Sequence, residues 1–137
     1  MRTVLLLSLA AILSGCETST SASIDEAALP QGVWALQAFE LSRGQFVTVP
    51  DPSQYTLELA EDGALHARTD CNLCNGTYQV SGSHLSIGLL ACTRAACRQG
   101  SLEGPYVDAL GSATSWELAG DELTIRYEGG RMRFGRL

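Results

Sequence analysis

Four cysteines in two short blocks carry most of the chemistry open to this 137-residue chain. Cys71 and Cys74 form a Cys-x-x-Cys pair, and Cys92 and Cys97 follow in Ala91-Cys92-Thr93-Arg94-Ala95-Ala96-Cys97. Four thiolates at this spacing could hold a zinc ion tetrahedrally. A Cys-x-x-Cys pair could instead exchange disulfides, but that chemistry uses a βαβ setting and a helix N-terminus to lower the thiol pKa, and neither is legible here. The third reading is two structural disulfides. An exported chain favours it, because thiols oxidise outside the cytosol.

Register selects the pairing. Gly82-Ser83, read as a two-residue type II′ loop, sets Val80 opposite Leu85, Tyr78 opposite Ile87 and Gly76 opposite Leu89. Cys74–Cys92 then lies one residue off the hairpin register and Cys71–Cys97 three. The crossed pairing misses by more, in opposite directions, and the local pairing needs tight loops at both strand ends. Disulfides require Cα atoms within about 7 Å, so the nested pairs Cys71–Cys97 and Cys74–Cys92 are expected.

Other reactive groups are sparse. His66 falls on a strand and His84 on a hairpin shoulder, where solvated or hydrogen-bonded roles fit better than metal ligation. Asp70 suits turn capping, and Asn72 suits bracing of the backbone. Arg94 could bind an anion, with a salt bridge to Glu103 or Asp70 as the expected alternative. No Gly-x-Ser-x-Gly elbow, phosphate-binding glycine loop, EF-hand or His-Glu-x-x-His occurs. Neither an enzyme nor a metal or cofactor protein is expected.

Alternating strands must position these groups. Tyr55, Leu57 and Leu59 repeat at period two, as do Leu123, Ile125 and Tyr127, and Met132 with Phe134. Gly120-Asp121 and Gly129-Gly130 mark tight turns. One apolar face at period two predicts an antiparallel sheet curled around a core, a mainly β domain. Between positions 101 and 113, Leu102, Tyr106, Ala109, Leu110 and Ala113 follow helical spacing instead, with Pro105 tolerable in a first turn. A short helix packed on the sheet is predicted there.

The N-terminus has a different purpose. Residues 4–13 form a ten-residue apolar run, too short to cross a bilayer and suited to a secretory signal. Leu13-Ser14-Gly15-Cys16 completes a site resembling the bacterial lipobox, which makes residues 1–15 a signal peptide and Cys16 an acylated N-terminus. Glu17 is not the aspartate associated with inner-membrane retention, so an outer-membrane anchor facing the periplasm is expected. Residues 16–29 are small, polar and acidic, a tether. That leaves one domain over residues 30–137. The chain has 9 basic residues, all arginine, against 15 acidic ones, a formal net charge of −6. This balance disfavours nucleic acid as a partner, and no polybasic membrane patch exists.

The same cysteine blocks carry a family pattern. Trp34-x-Leu36, then Cys71-Asn72-x-x-x-Gly76-x-Tyr78, Leu85-x-Ile87-Gly88, Thr93-Arg94-x-x-Cys97, Glu103 with Tyr106, and Trp116-x-Leu118 resemble the META domain family, the HslJ-like heat-shock proteins of bacterial envelopes. The resemblance implies a compact, barrel-like antiparallel β domain with one helix packed on it. It implies structural roles for Trp34, Asn72, Gly76, Tyr78, Thr93, Arg94 and Glu103. It also makes Cys71 and Cys97 the family's usual pair and Cys74 with Cys92 an addition. The family is linked to stress responses, envelope integrity and novobiocin tolerance, without an established catalytic activity.

The expected function is that of a non-enzymatic envelope lipoprotein, held to the membrane by its anchor and binding an envelope component or a small apolar ligand. Trp34, Tyr106, Leu110 and Trp116 are the candidate lining of an apolar ligand cavity beneath the helix. A thiol-redox or metal-binding envelope protein, and a periplasmic enzyme inhibitor, are the alternatives.

Overall fold

The computed structural model describes residues 28–41 and 43–137, so the signal peptide, Cys16 and most of the tether lie outside the described residues. The strands are β1 (Gly32–Leu41), β2 (Phe46–Thr48), β3 (Tyr55–Leu59), β4 (Ala64–Thr69), β5 (Leu73–Ser81), β6 (His84–Ile87), β7 (Ala91–Cys92), β8 (Ala113–Ala119), β9 (Glu122–Tyr127) and β10 (Gly130–Arg136). A 3-10 turn, Pro52–Gln54, precedes β3, and one helix, α1 (Glu103–Gly111), precedes β8.

Eight of the strands close into an antiparallel barrel in the order β10-β9-β8-β6-β5-β4-β3-β1, with β10 paired back onto β1. Closure removes the exposed sheet edges that otherwise invite pairing between chains. β2 extends the barrel wall beside the second half of β1, and β7 pairs with the first half of β5.

The period-two pattern becomes the wall. Leu57 and Leu59, Leu65 and Ala67, and Leu123 and Ile125 are buried, while their neighbours Glu58, His66 and Arg126 are exposed. The core also holds Trp34, Leu36, Met132 and Phe134, each with 0% exposure. Leu29, read from sequence as the end of the tether, is buried against this core, because an apolar side chain at the domain's threshold gains by leaving water.

One seam is thin. β6 and β8 share the single bridge His84↔Ser115. Trp116 reinforces it from β8: its backbone N–H donates to the Ser83 carbonyl at 2.9 Å, and its indole Nε1–H to the Gly82 carbonyl at 3.0 Å. The tip of the β5–β6 hairpin is thereby fixed to the opposite side of the seam.

The helix is shorter than the predicted span. Pro105 falls in its first turn, where a missing N–H costs nothing. Tyr106, Ala109 and Leu110, at i, i+3 and i+4, are its buried face. Tyr106 is fully buried and meets the rings of Phe39, Tyr55 and Phe134 at centroid distances of 6.4, 6.0 and 6.3 Å. Its hydroxyl donates to the Thr56 carbonyl at 3.1 Å, so the burial leaves no polar atom stranded. Removing a side chain of this size from water stabilises the helix–barrel contact by about 3 kcal/mol.

Gly130 permits closure at the other side. Its φ is +148°, and a Cβ there would overlap the Glu40 carbonyl oxygen of β1. Only glycine lets β10 turn out of the Gly129-Gly130 hairpin directly against β1.

Candidate functional site

The β5–β6 hairpin has the register expected from sequence: Tyr78 faces Ile87, Val80 faces Leu85 and Ser81 faces His84. Gly82 has φ +58°, as the first position of a type II′ turn requires. Beyond Ile87 the register slips by one residue. Gly88 N–H still donates to Thr77 O at 2.8 Å, but Asn75 pairs with Ala91 and Cys74 with Cys92. The expected pairing of Gly76 with Leu89 does not form. The extra residue is absorbed at Leu89-Leu90, leaving Leu89 97% exposed and Leu90 folded over Gly76. A Cβ at Gly76 would stand 2.7 Å from Leu90 Cδ2 and 3.2 Å from Leu89 O, which accounts for a glycine there.

This slip places the four cysteines. The structure brings Cys74 to Cys92 with Cα atoms 4.0 Å apart, and Cys71 to Cys97 at 5.4 Å, both at disulfide distance. Cys74 is buried in the core, while Cys71, Cys92 and Cys97 are partly exposed. Paired sulfurs offer neither a thiolate nucleophile nor a four-thiolate zinc site.

The segment between Cys92 and Cys97 is anchored at both ends, and Asn72 fills it from beneath. Asn72 is 4% exposed. Its Oδ1 accepts from Ala95 N–H at 2.7 Å and from Thr93 Oγ1 at 2.9 Å. Its Nδ2 donates to Glu103 Oε1 at 3.0 Å and to Ala95 O at 3.2 Å. Thr93 Oγ1 in turn accepts Leu73 N–H at 3.0 Å. One side chain thus ties β5, the loop and the start of α1 into a network with its donors and acceptors used.

Against this network lies an open depression of about 540 Å³, lined by Asn72, Leu90, Thr93, Arg94, Glu103 and Val107 together with Cys92, Ala95 and Cys97. Arg94 does not make the ion pair expected of it. Asp70 instead pairs with Arg98 at 3.7 Å, and Glu103 is held by Asn72. Thr93 continues alongside Leu73, and Arg94 is exposed just beyond it, lining the same depression as Glu103 without pairing to it. Nothing in residue spacing pointed to the Arg98–Asp70 pair. The close Thr93–Asn72 contact did have a signal, since both residues adjoin a bridged cysteine.

The other expected residues are dispersed. Trp34, Tyr106 and Leu110 are fully buried and Trp116 is 8% exposed, all within the packed core, and none lines a described depression. The apolar cavity expected beneath the helix is therefore corrected to packed side chains. The helix inserts Tyr106 where a ligand would have sat, and burial drives that phenol's pKa upward, keeping it neutral. Trp34 donates to Pro30 O at 3.1 Å and lies beneath the Arg136 guanidinium, 4.6 Å from the ring centre. Tyr78 donates to Ala60 O at 2.6 Å, pinning β5 to the β3–β4 turn. His66 Nδ1 lies 2.6 Å from Asn75 Oδ1 across neighbouring strands. Asp70 takes φ +69°, a turn conformation that aspartate tolerates. Among the described residues neither histidine side chain hydrogen-bonds a serine, threonine or cysteine side chain, so no histidine stands beside a nucleophile.

Known proteins bear on the whole domain. A protein from Burkholderia xenovorans, solved by NMR, is similar at 25% identity with a TM-score of 0.64, covering 81% of this chain and 92% of its own. A DUF4847 family protein from Bacteroides vulgatus shares the fold at 13% identity and TM-score 0.58, over 78% and 93% of the two chains. A lipocalin-like protein from Bacteroides uniformis does so at 20% and 0.55, over 78% and 97%. These last two likenesses show the fold alone. No curated protein matches the chain by sequence. The sequence model of the META domain matches residues 27–137, the whole barrel with its helix, and the chain belongs to the META domain family.

Proposed function

We propose that this chain is a non-enzymatic binding lipoprotein of the bacterial envelope. Cys16 carries the lipid, residues 17–27 span from the membrane to the domain, and the barrel binds another envelope component through its outer surface. Support for the anchor is the short apolar run ending in Leu13-Ser14-Gly15-Cys16. Acylation at more than one site makes such an anchor stable, since each buried methylene contributes about 0.8 kcal/mol. Glu17 after the anchor supports a place in the outer membrane, facing the periplasm. Membership of the META domain family supports a role in stress or antibiotic tolerance.

The observation that carries the binding reading is the contrast between a packed barrel interior and the open depression over the bridged loop. Rigid loops on a rigid barrel lose little conformational entropy on binding. Two measurements test the proposal. Palmitate labelling should mark the wild-type chain and not Cys16→Ser, which should fractionate as a soluble periplasmic protein. A photo-crosslinker at Val107, which lines the depression, should capture a discrete envelope component in cells, whereas one at Glu117 on β8 should not. Equal labelling of Cys16→Ser, or capture from Glu117 alone, would refute the respective half.

A further inference from the structure

The bridged loop is a costly construction around one unused group. Two disulfides and every polar atom of the Asn72 side chain are spent on holding residues 92–97 in place. Arg94 is the polar side chain of that loop with no ion pair or hydrogen bond among the described residues. Most other arginines are engaged. Arg98, Arg126, Arg131 and Arg133 pair with Asp70, Glu117, Glu40 and Glu122, and Arg136 covers Trp34. In a chain with 15 acidic residues against 9 basic ones, an unpaired guanidinium on a rigid loop is not explained by a shortage of carboxylates.

Its neighbours give the site a shape. Thr93 N–H donates to Leu73 O at 3.0 Å, and Leu73 pairs across the barrel wall with Arg68 of β4. Running around the outside of the wall, the order is therefore Arg68, Leu73, then Thr93 and Arg94. Arg68 is exposed and has no ion pair among the described residues. Leu73 between them is 58% exposed, a large apolar side chain in water. Glu103 shares the depression with Arg94, but its Oε1 is already held by Asn72.

We infer that this face binds a peptide carboxylate with an apolar side chain beside it, the carboxylate on the Arg94 guanidinium and the apolar group on Leu73. Arginine presents a planar fork that matches a carboxylate with two parallel hydrogen bonds. A membrane surface is the poorer fit. Anionic bilayers recruit clusters of four to eight basic residues, whereas this chain carries a net charge of −6 and offers two separated guanidiniums. The inference rests on the outer-surface reading of the proposed function and names the ligand chemistry of that surface.

The test uses the full mature chain, isotope-labelled and held in phosphatidylcholine nanodiscs, with N-acetyl-leucine as probe. Amide NMR shifts should move at Leu73 and at residues 93–97, with a millimolar Kd fitting so small a ligand. N-acetyl-leucinamide and the variant Arg94→Gln should each bind at least tenfold more weakly, Arg94→Lys should recover part of the loss, and Arg126→Gln should match the wild type. Equal binding of the amide, or unchanged binding by Arg94→Gln, would overturn the inference. So would inorganic phosphate binding at Arg94 as tightly as N-acetyl-leucine, or loop shifts produced by phosphatidylglycerol nanodiscs without the probe. Shifts at core residues such as Leu36 and Ile125 would overturn the outer-surface reading itself, which separates the two failures.

Discussion

Removing the two disulfides singly and together should expose a coupling between them that follows from their nesting. The outer bridge encloses a sequence separation of 26 and the inner one 18. Chain-entropy arithmetic gives about 3.5 kcal/mol for the outer loop closed alone and about 3.2 kcal/mol for the inner. With the inner bridge formed, the outer one closes only the residues between 71 and 74 and between 92 and 97, an effective loop of about eight. Its increment falls to about 2.5 kcal/mol, and by the same reasoning the inner increment falls to about 2 kcal/mol. Both bridges together contribute about 5.7 kcal/mol, so losing both costs about 1 kcal/mol more than the two separate losses added. Cys74 is buried at 1% exposure, so its truncation to alanine adds about 1 kcal/mol of lost packing. That packing loss appears in the inner and the quadruple variants alike and leaves the excess unchanged. Urea unfolding of Cys71→Ala/Cys97→Ala, Cys74→Ala/Cys92→Ala and the quadruple variant measures each quantity. The outer pair should lower Tm by about 10 °C for a domain of this size. An additive result, or a quadruple variant less destabilised than the sum, would refute the nested-loop reasoning and point to residual structure in the unfolded chain.

Asn72→Ala should destabilise by about 2 kcal/mol, since it strands the Ala95 N–H and Thr93 hydroxyl that it now satisfies. Hydrogen exchange at Ala95 should accelerate more than at core amides. Asn72→Asp keeps the acceptor but sets an oxygen 3.0 Å from Glu103 Oε1, so its destabilisation should shrink as pH falls and a carboxylate takes a proton. Tyr106→Phe should alter the alkaline limb of stability. The folded-state pKa of Tyr106 lies above the ordinary phenol value because of burial, so its contribution is complete below about pH 10. It is lost as pH climbs from there, because the unfolded chain releases a proton that the folded one retains. The wild type should lose up to about 1.4 kcal/mol per pH unit more steeply than Tyr106→Phe, measured by urea titrations from pH 9 to 11. Equal slopes would refute full burial of the phenol. Gly130→Ala should cost at least about 3 kcal/mol, because the new Cβ meets the Glu40 carbonyl at a positive φ. Gly82→Ala, with nothing near its Cβ, should cost less, and thermal denaturation of the two separates backbone clash from conformational strain.

What the sequence made legible followed from periodicity, and what it hid followed from rotation and reach. Period two named the barrel wall, and the i, i+3, i+4 spacing of Tyr106, Ala109 and Leu110 named the helix face. The Gly82-Ser83 turn then carried its register far enough to sort the cysteines, although Leu89-Leu90 broke it on the way. A bulge of this kind leaves no periodic trace, since one inserted residue between two strands reads as loop. The apolar residues over the core were equally legible as apolar, yet the sequence could not say whether they surround a cavity or fill it. That depends on volume. Trp34, Tyr106, Phe134 and Met132 converge within one eight-stranded barrel, an interior just wide enough for side chains to fill.

Arg94 shows the opposite limit. Charge pairing predicts that an arginine near two carboxylates will find one, and Asp70 and Glu103 were the partners expected of it. Nesting the bridges instead fixed where each end of the loop could go. Asp70 was left to Arg98, one position past Cys97, and Glu103 to Asn72, one position past Cys71. The geometry that removes the four cysteines from reactive chemistry thus leaves a guanidinium without a partner. Disulfides that lower the entropy of the unfolded chain also lower the cost of ordering that loop around a ligand. Stability and recognition are then linked at one place. Loss of the outer bridge should weaken N-acetyl-leucine binding even at temperatures where the barrel stays folded, because the loop must then be ordered on binding. Unchanged affinity in folded Cys71→Ala/Cys97→Ala would show that Asn72 and the inner bridge suffice to hold Arg94 in place.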